Sequence, residues 1–378
     1  MAKAKANGEP KAKALTSREL NRATLARQLL LERAQLPVAE AVGRLAAVQS
    51  QWPSLPYLAL WARLAGFERK ALAKAIDDRE VVRATLIRGT LHLARSADFL
   101  RFRSVVQPAL DRGFEALPEE RRAGLDYHGI EEAACDVLKK GPATAEALRE
   151  AIERRFPKVD VRMAGHWARL NVPLVQVPEA GTTWGYASDP KFALASEWLG
   201  KKIAPGTDPK DLVRSYLAAF GPASVRDAES WTGLKKLAPA FEALRPELQT
   251  FTDEAGKVLF DLADAPRPAA ETEAPPRLLP EFDAVVMGHQ DRTRIVPDAH
   301  RKLIYLSALR VRATLLFDGA VRGAWRIVKK RKVATLTVEL FEPVKKKDRA
   351  PIAAEAESLA KLIEPGCTSF EVAFEEPS

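Results

Sequence analysis

The sequence predicts an α+β protein in which three tandem winged helix-turn-helix motifs lead into a C-terminal β-rich α+β unit. Three observations carry that prediction. Helical stretches with a buried-face rhythm are followed, three times, by a short ribbon-like stretch of alternating residues. Two of the units contain closely similar turns, Gly141-Pro142-Ala143-Thr144 and Gly221-Pro222-Ala223-Ser224, the mark of an internal repeat. Beyond a stretch rich in Pro, Ala and Glu, the pattern becomes mainly that of strands and hairpins.

Composition bounds the reading. With 378 residues, 47% of them hydrophobic, the chain can bury several cores. Lys and Arg number 59 against 50 Asp and Glu, giving a net charge of +9 and a pI near 9.5, which suits a polyanionic partner. Cys135 and Cys367 belong to no CxxC spacing, and His166 and His289 have no ligand-spaced partners, so neither a metal nor a cofactor is expected. A single possible cysteine pair favours a reducing cytoplasm. No stretch approaches the roughly 18 apolar residues of a membrane span. The opening MAKAKANGEPKAKAL has spaced lysines without an apolar run, so residues 1–15 are expected to be a disordered basic tail and not a secretory signal.

The first module spans residues 16–125. A helix from Ser17 carries Leu20, Leu25, Leu29 and Leu30, and Pro37 opens a second. There Val38, Ala41, Val42, Leu45 and Val48 mark one buried face; Gln49 projects onto it, whereas Gln51 falls well off it. Because Pro53 disfavours a helical Trp52, the glutamines are expected at a helix end. Helices over 57–64 and 68–78 and a two-stranded ribbon over 81–93, broken at Gly89, complete the unit. The second module (126–205) has helices over 130–138 and 145–152, a recognition-type helix over 161–170 with Arg162, His166 and Arg169, and VQVPEAGTTWGY as its wing. The third (206–264) has a helix over 211–220, Ser224 capped against Asp227, further helical residues over 231–244 and a ribbon over 248–262 turning near Glu254-Ala255-Gly256. Residues 265–277 read as a linker. The C-terminal unit (278–378) has the polar turn 289–294, a hairpin about Asp318-Gly319, a strand over 333–341 and a helix over 352–363.

Over nearly all of the chain after the tail the sequence resembles the AlkZ-like winged-helix DNA glycosylases. The resemblance rests on AVQSQWPSLPYLALWARL, VVRATLIRGTLHL, YLAAFGPASVRDAESWTGL and LLPEFDAVVMGHQDRTRIV with FDGAVRGAWR. It implies a C-shaped set of winged helices embracing duplex DNA and excision of bulky N-alkylated purines, including those joined in interstrand crosslinks. The family's motif is two glutamines flanking an aliphatic residue, with aspartate replacing the second in a sister branch. Gln49-Ser50-Gln51 keeps both glutamines and places a serine between them.

An amide is too weakly basic to act as a general base in water, so Gln49 and Gln51 are expected to position a water by hydrogen bonding. That suffices only where the leaving base departs readily. A cationic 7-alkylguanine or 3-alkyladenine needs no general acid, which makes these the expected substrates of a monofunctional enzyme. A base tethered to the opposite strand cannot be fully extruded, so an open cleft is expected over a flipping pocket. Arg83, Arg88, Thr90 and His92, with Arg292 and Arg294 of the later turn, are the expected DNA contacts. The expected partner is double-stranded DNA, bound by a monomer that would be nucleoid-associated in that state. The alternatives are a non-catalytic winged-helix DNA binder, acting as regulator or lesion sensor, and a dimeric operator-reading repressor.

Overall fold

The computed structural model describes residues 13–307 and 309–377. The architecture is mixed α+β, with three sheets among the described residues. Residues 1–12 of the expected tail lie outside the described residues. The remaining three are not a tail: Lys13–Leu15 form a strand parallel to Leu248–Asp253, which pairs in turn with Val258–Leu262. Leu15 and Leu20 close a small core with Phe251 and Leu259, so burial of apolar side chains holds this edge in place.

The helix Ser17–Arg27 begins with a capping box in which Thr16 and Glu19 bond each other's backbone N–H groups. Its arginines reach unusually far. Arg27 forms a buried bidentate pair with Asp261 at 2.6 and 2.7 Å. Arg18 donates to the Ala270 carbonyl at 2.8 Å, Arg22 to Thr272 at 2.6 Å and Arg27 to Pro266 at 3.2 Å. Arg18 and Arg22 also pair with Asp318 in the C-terminal hairpin. The stretch expected to be a linker is therefore strapped along the first helix, and by Arg277 it has already entered a strand.

The helix opened by Pro37 stops at Arg44. Ala46 takes a left-handed backbone with φ of 63°, which breaks the helical hydrogen-bond ladder, and Val48–Gln49 become a strand. That corrects the expected helix-end position of the glutamines. The first ribbon is Val81–Thr85 and Leu91–Arg95, joined by a turn at Ile87–Gly89. It does not stand alone. Ala84 pairs with Val175 of Leu174–Gln176, which pairs in turn with Phe192–Leu194, so the ribbons expected for the first two modules merge into one five-stranded sheet. Within VQVPEAGTTWGY only the start is strand; residues beyond Gln176 form a loop whose Tyr186 packs back on Tyr57, Leu60 and Ile76 in the first module's core.

Helices Tyr127–Leu138, Ala145–Arg155 and Val161–Asn171 form the second module's core around Ile130, Leu148 and Ala164. In the third, Lys210–Phe220, Val225–Thr232 and Ala238–Leu244 precede the ribbon, with Ser224 and Asp227 forming the expected capping box. Arg277–Leu279, Thr314–Phe317, Ala320–Lys330 and Val333–Leu340 make an antiparallel sheet. Ser369–Glu375, which the sequence pattern did not suggest, adds a parallel edge strand. The last helix begins at Lys346, earlier than expected, and carries Pro351 inside it, one turn in, where the ring leaves the Lys347 carbonyl without its i→i−4 donor.

Candidate active site

Gln49 sits in register with His92 on the strand Leu91–Arg95. One residue on, the Ser50 N–H donates to the Leu91 carbonyl at 2.7 Å, and the Leu91 N–H donates to Gln51 Oε1 at 3.1 Å. Gln51 thus imitates the next rung of the ladder with its side chain. Ser50 is fully buried. Its carbonyl accepts from Arg83 Nη2 at 2.7 Å and its Oγ from Arg83 Nε at 3.0 Å, while the Gln51 carbonyl accepts from the same guanidinium at 3.1 Å. The serine between the glutamines therefore takes a hydrogen bond that an aliphatic side chain could not.

Gln49 is 8% exposed, and its Oε1 is buried without a protein partner among the described residues. Such an orphan costs about 1–3 kcal/mol unless something else satisfies it. Gln49 lines a cavity of about 10 Å³, roughly one water, whose walls include Gln28, Arg63, Glu281 and Asp283. The glutamines are not sealed in an apolar core. Gln51 is half-exposed, and Trp52 beside it is 58% exposed, unusual for a large aromatic. Neither glutamine NH2 donates to a protein acceptor among the described residues. Gln51 Oε1 accepts from the Leu91 N–H, which leaves one lone pair for a further hydrogen bond.

The expected DNA contacts divide. Arg83 is buried, its guanidinium spent on Ser50, Gln51 and Gln176, so it braces the backbone at Ser50 and Gln51. Burial pushes its pKa down to about 10, which leaves it charged at neutral pH. Arg294 also turns inward, donating to Pro222 O at 3.0 Å, with burial lowering its pKa. His92 is buried, and its Nδ1–H donates to the Thr90 carbonyl at 3.0 Å. Burial, and then the charge of Arg88, push its pKa down to about 3, so it is neutral at pH 7. Thr90 spends its hydroxyl on Ile87 O at 3.0 Å. Arg88 holds the Trp231 carbonyl; burial, and then the nearby Arg292, lower its pKa to about 10. Arg292 keeps its guanidinium free of carboxylates among the described residues, lying 4.4 Å over the Tyr305 ring.

Two features of the site were missed from the sequence. Trp52 was read only for its backbone, and Glu281 only within the LLPEFD stretch that carries the family resemblance. A lone carboxylate in LLPEFD gives no spacing signal; only the fold brings it to the wall that Gln49 lines.

The family profile described as "DNA glycosylase AlkZ-like" matches residues 42–362. The chain belongs to the AlkZ-like DNA glycosylase family. A relative, the "Interstrand DNA cross-link repair glycosylase" of Streptomyces sahachiroi, is 26% identical over 361 residues, 89% of this chain and 92% of that protein. The solved structure of the Streptomyces sahachiroi DNA glycosylase AlkZ aligns at a TM-score of 0.78 with 22% identity, covering 96% of this chain and 100% of that one. That alignment therefore extends beyond the residues that the profile matches.

Among the described residues, no group of His, Cys, Asp and Glu is arranged to hold a metal, and no helix is long and apolar enough to cross a membrane.

Proposed function

We propose that this AlkZ-like chain is a monofunctional glycosylase that hydrolyses the N-glycosidic bond of cationic N-alkylated purines in duplex DNA, 7-alkylguanine and 3-alkyladenine foremost. The observation that carries this reading is the pair of amides at Gln49 and Gln51, two residues apart, each with an NH2 uncommitted to protein. Such groups suit acceptors on a departing purine, whose ring gains electron density as the bond to C1′ breaks. Gln49 Oε1 is left to accept from a water. The three helix-then-ribbon units serve as winged helices set in a C around the duplex, with Arg292 and Arg88 supplying positive charge beside the site. Trp52, exposed next to Gln51, offers a face on which a base can stack. An open approach of this kind accommodates a bulky or crosslinked adduct that cannot be flipped, and the crosslink named for the Streptomyces relative fits that geometry.

Single-turnover incubation with duplex DNA carrying one 7-methylguanine, followed by alkaline cleavage of abasic sites, tests the reading. Wild type is expected to release the base, and Gln49→Ala and Gln51→Ala to slow release by about 100-fold each, the scale of losing one transition-state hydrogen-bond donor. Salt-sensitive binding without release from this or a bulkier adduct would leave a DNA binder instead.

A further inference from the structure

We propose that Glu281 is a further catalytic residue, the carboxylate that receives a proton from the attacking water and faces the positive charge developing on the sugar. The inference rests on the glycosylase reading above. Cleavage of the glycosidic bond passes through an oxocarbenium-like state, which negative charge stabilises and amide donors do not. Gln49 and Gln51 have NH2 groups to present, and Gln51 Oε1 is partly spent on Leu91. The amide pair therefore assists the leaving base better than the sugar. A carboxylate is what the pair lacks.

Two carboxylates share the cavity wall with Gln49, and they are not equivalent. Asp283 is buried and answered on both oxygens by Arg63 at 2.8 Å, with Val285 N–H adding a bond at 3.0 Å. Its charge is neutralised where it stands. Glu281 is half-buried and makes no ion pair or side-chain hydrogen bond among the described residues, in a protein whose other partly buried carboxylates are mostly paired. It lies in a turn that Phe282, at φ of 59°, holds in a left-handed conformation that costs a non-glycine residue about 1 kcal/mol or more. Gln49 Oε1, nine-tenths buried and unpartnered, supplies the second, independent mark of a ligand position on the same wall.

The step balances without a co-reactant. As the C1′–N9 bond breaks, its electron pair passes to the purine and cancels the alkyl-induced charge. The water held at Gln49 Oε1 bonds through oxygen to C1′, and its proton passes to Glu281, then to solvent. The product pair is a neutral base and an abasic sugar.

Glu281→Gln, which keeps the shape and removes the charge, is the decisive variant. At saturating protein, single-turnover release of 7-methylguanine is expected to fall about 100-fold, the lower end of general acid–base contributions. DNA affinity is expected to hold or tighten, because an acidic group facing a polyanion opposes binding. Formate, a carboxylate small enough to enter the space left by Glu281→Ala, is expected to restore part of that variant's rate, which a structural defect would not allow. Release by Glu281→Gln within threefold of wild type would overturn the role, as would a loss confined to affinity. Should Glu281→Gln not fold, absence of formate rescue in Glu281→Ala overturns it equally. Wild type that releases no base overturns the glycosylase reading and this role together; an active wild type with an equally active Glu281→Gln overturns this role alone.

Discussion

Asp283 and Gln49 line the same small cavity and are almost equally buried, yet their polar atoms are treated in opposite ways. Asp283 is saturated by Arg63 and the Val285 N–H. Gln49 Oε1 has no partner among the described residues. The strand position and the Arg83 brace fix where Gln49 and Gln51 stand, while their amide groups are left partly unspent. A folded chain tolerates such waste where a ligand will later supply the missing bonds; elsewhere it closes them. The difference teaches which groups at this junction maintain the fold and which are left with bonds to give.

The contrast can be broken most forcefully at its saturated pole. Asp283→Asn leaves the Arg63 charge buried without its counterion and is expected to destabilise the fold by about 3–5 kcal/mol, read by urea unfolding. A loss under 1 kcal/mol would mean the pair is not structural. A smaller effect is expected from His92, which faces Gln49 across the strand pair. Its folded pKa of about 3 lies below the ordinary 6.5, so the unfolded chain takes up a proton that the native state refuses. Stability is therefore full above the unfolded value and is lost as pH falls toward the folded one. By pH 5 that loss is about 2 kcal/mol. Unfolding curves at pH 7.5 and 5 should show it, and His92→Gln should flatten the slope, leaving the part due to His289, which burial also holds low. The smallest effect is expected at Ser50. Ser50→Ala removes one acceptor from Arg83 Nε, which still reaches the Ser50 carbonyl at 3.0 Å, so about 1 kcal/mol should be lost.

Much of the fold was legible because it is local. The cap at Ser224, the hairpin at Asp318-Gly319 and the helices over the second and third modules follow from turn chemistry and periodicity. What failed was long-range. The rhythm of Val38 to Val48 reads as one helix, and nothing in the sequence shows Ala46 turning left-handed so that the Leu91–Arg95 strand captures Val48 and Gln49. The fusion of two ribbons through Ala84 and Val175 depends on residues about ninety apart, beyond any local pattern. At the site, the glutamines were legible as an oddity on an apolar stripe. The arginines were not, since a charged side chain in a ribbon or a polar turn reads as exposed, whereas Arg83 and Arg294 are spent on backbone carbonyls and neighbouring polar groups inside the protein. Glu281 was silent because its significance lies in whom it sits beside.

The first helix, finally, works as a bolt through two plates. One of its arginines seizes Asp261 on the third module, two others hold Asp318 in the C-terminal sheet, and together they pin the chain that runs between. The distance between those plates is consequently set by the reach of guanidinium groups and not by the length of a tether.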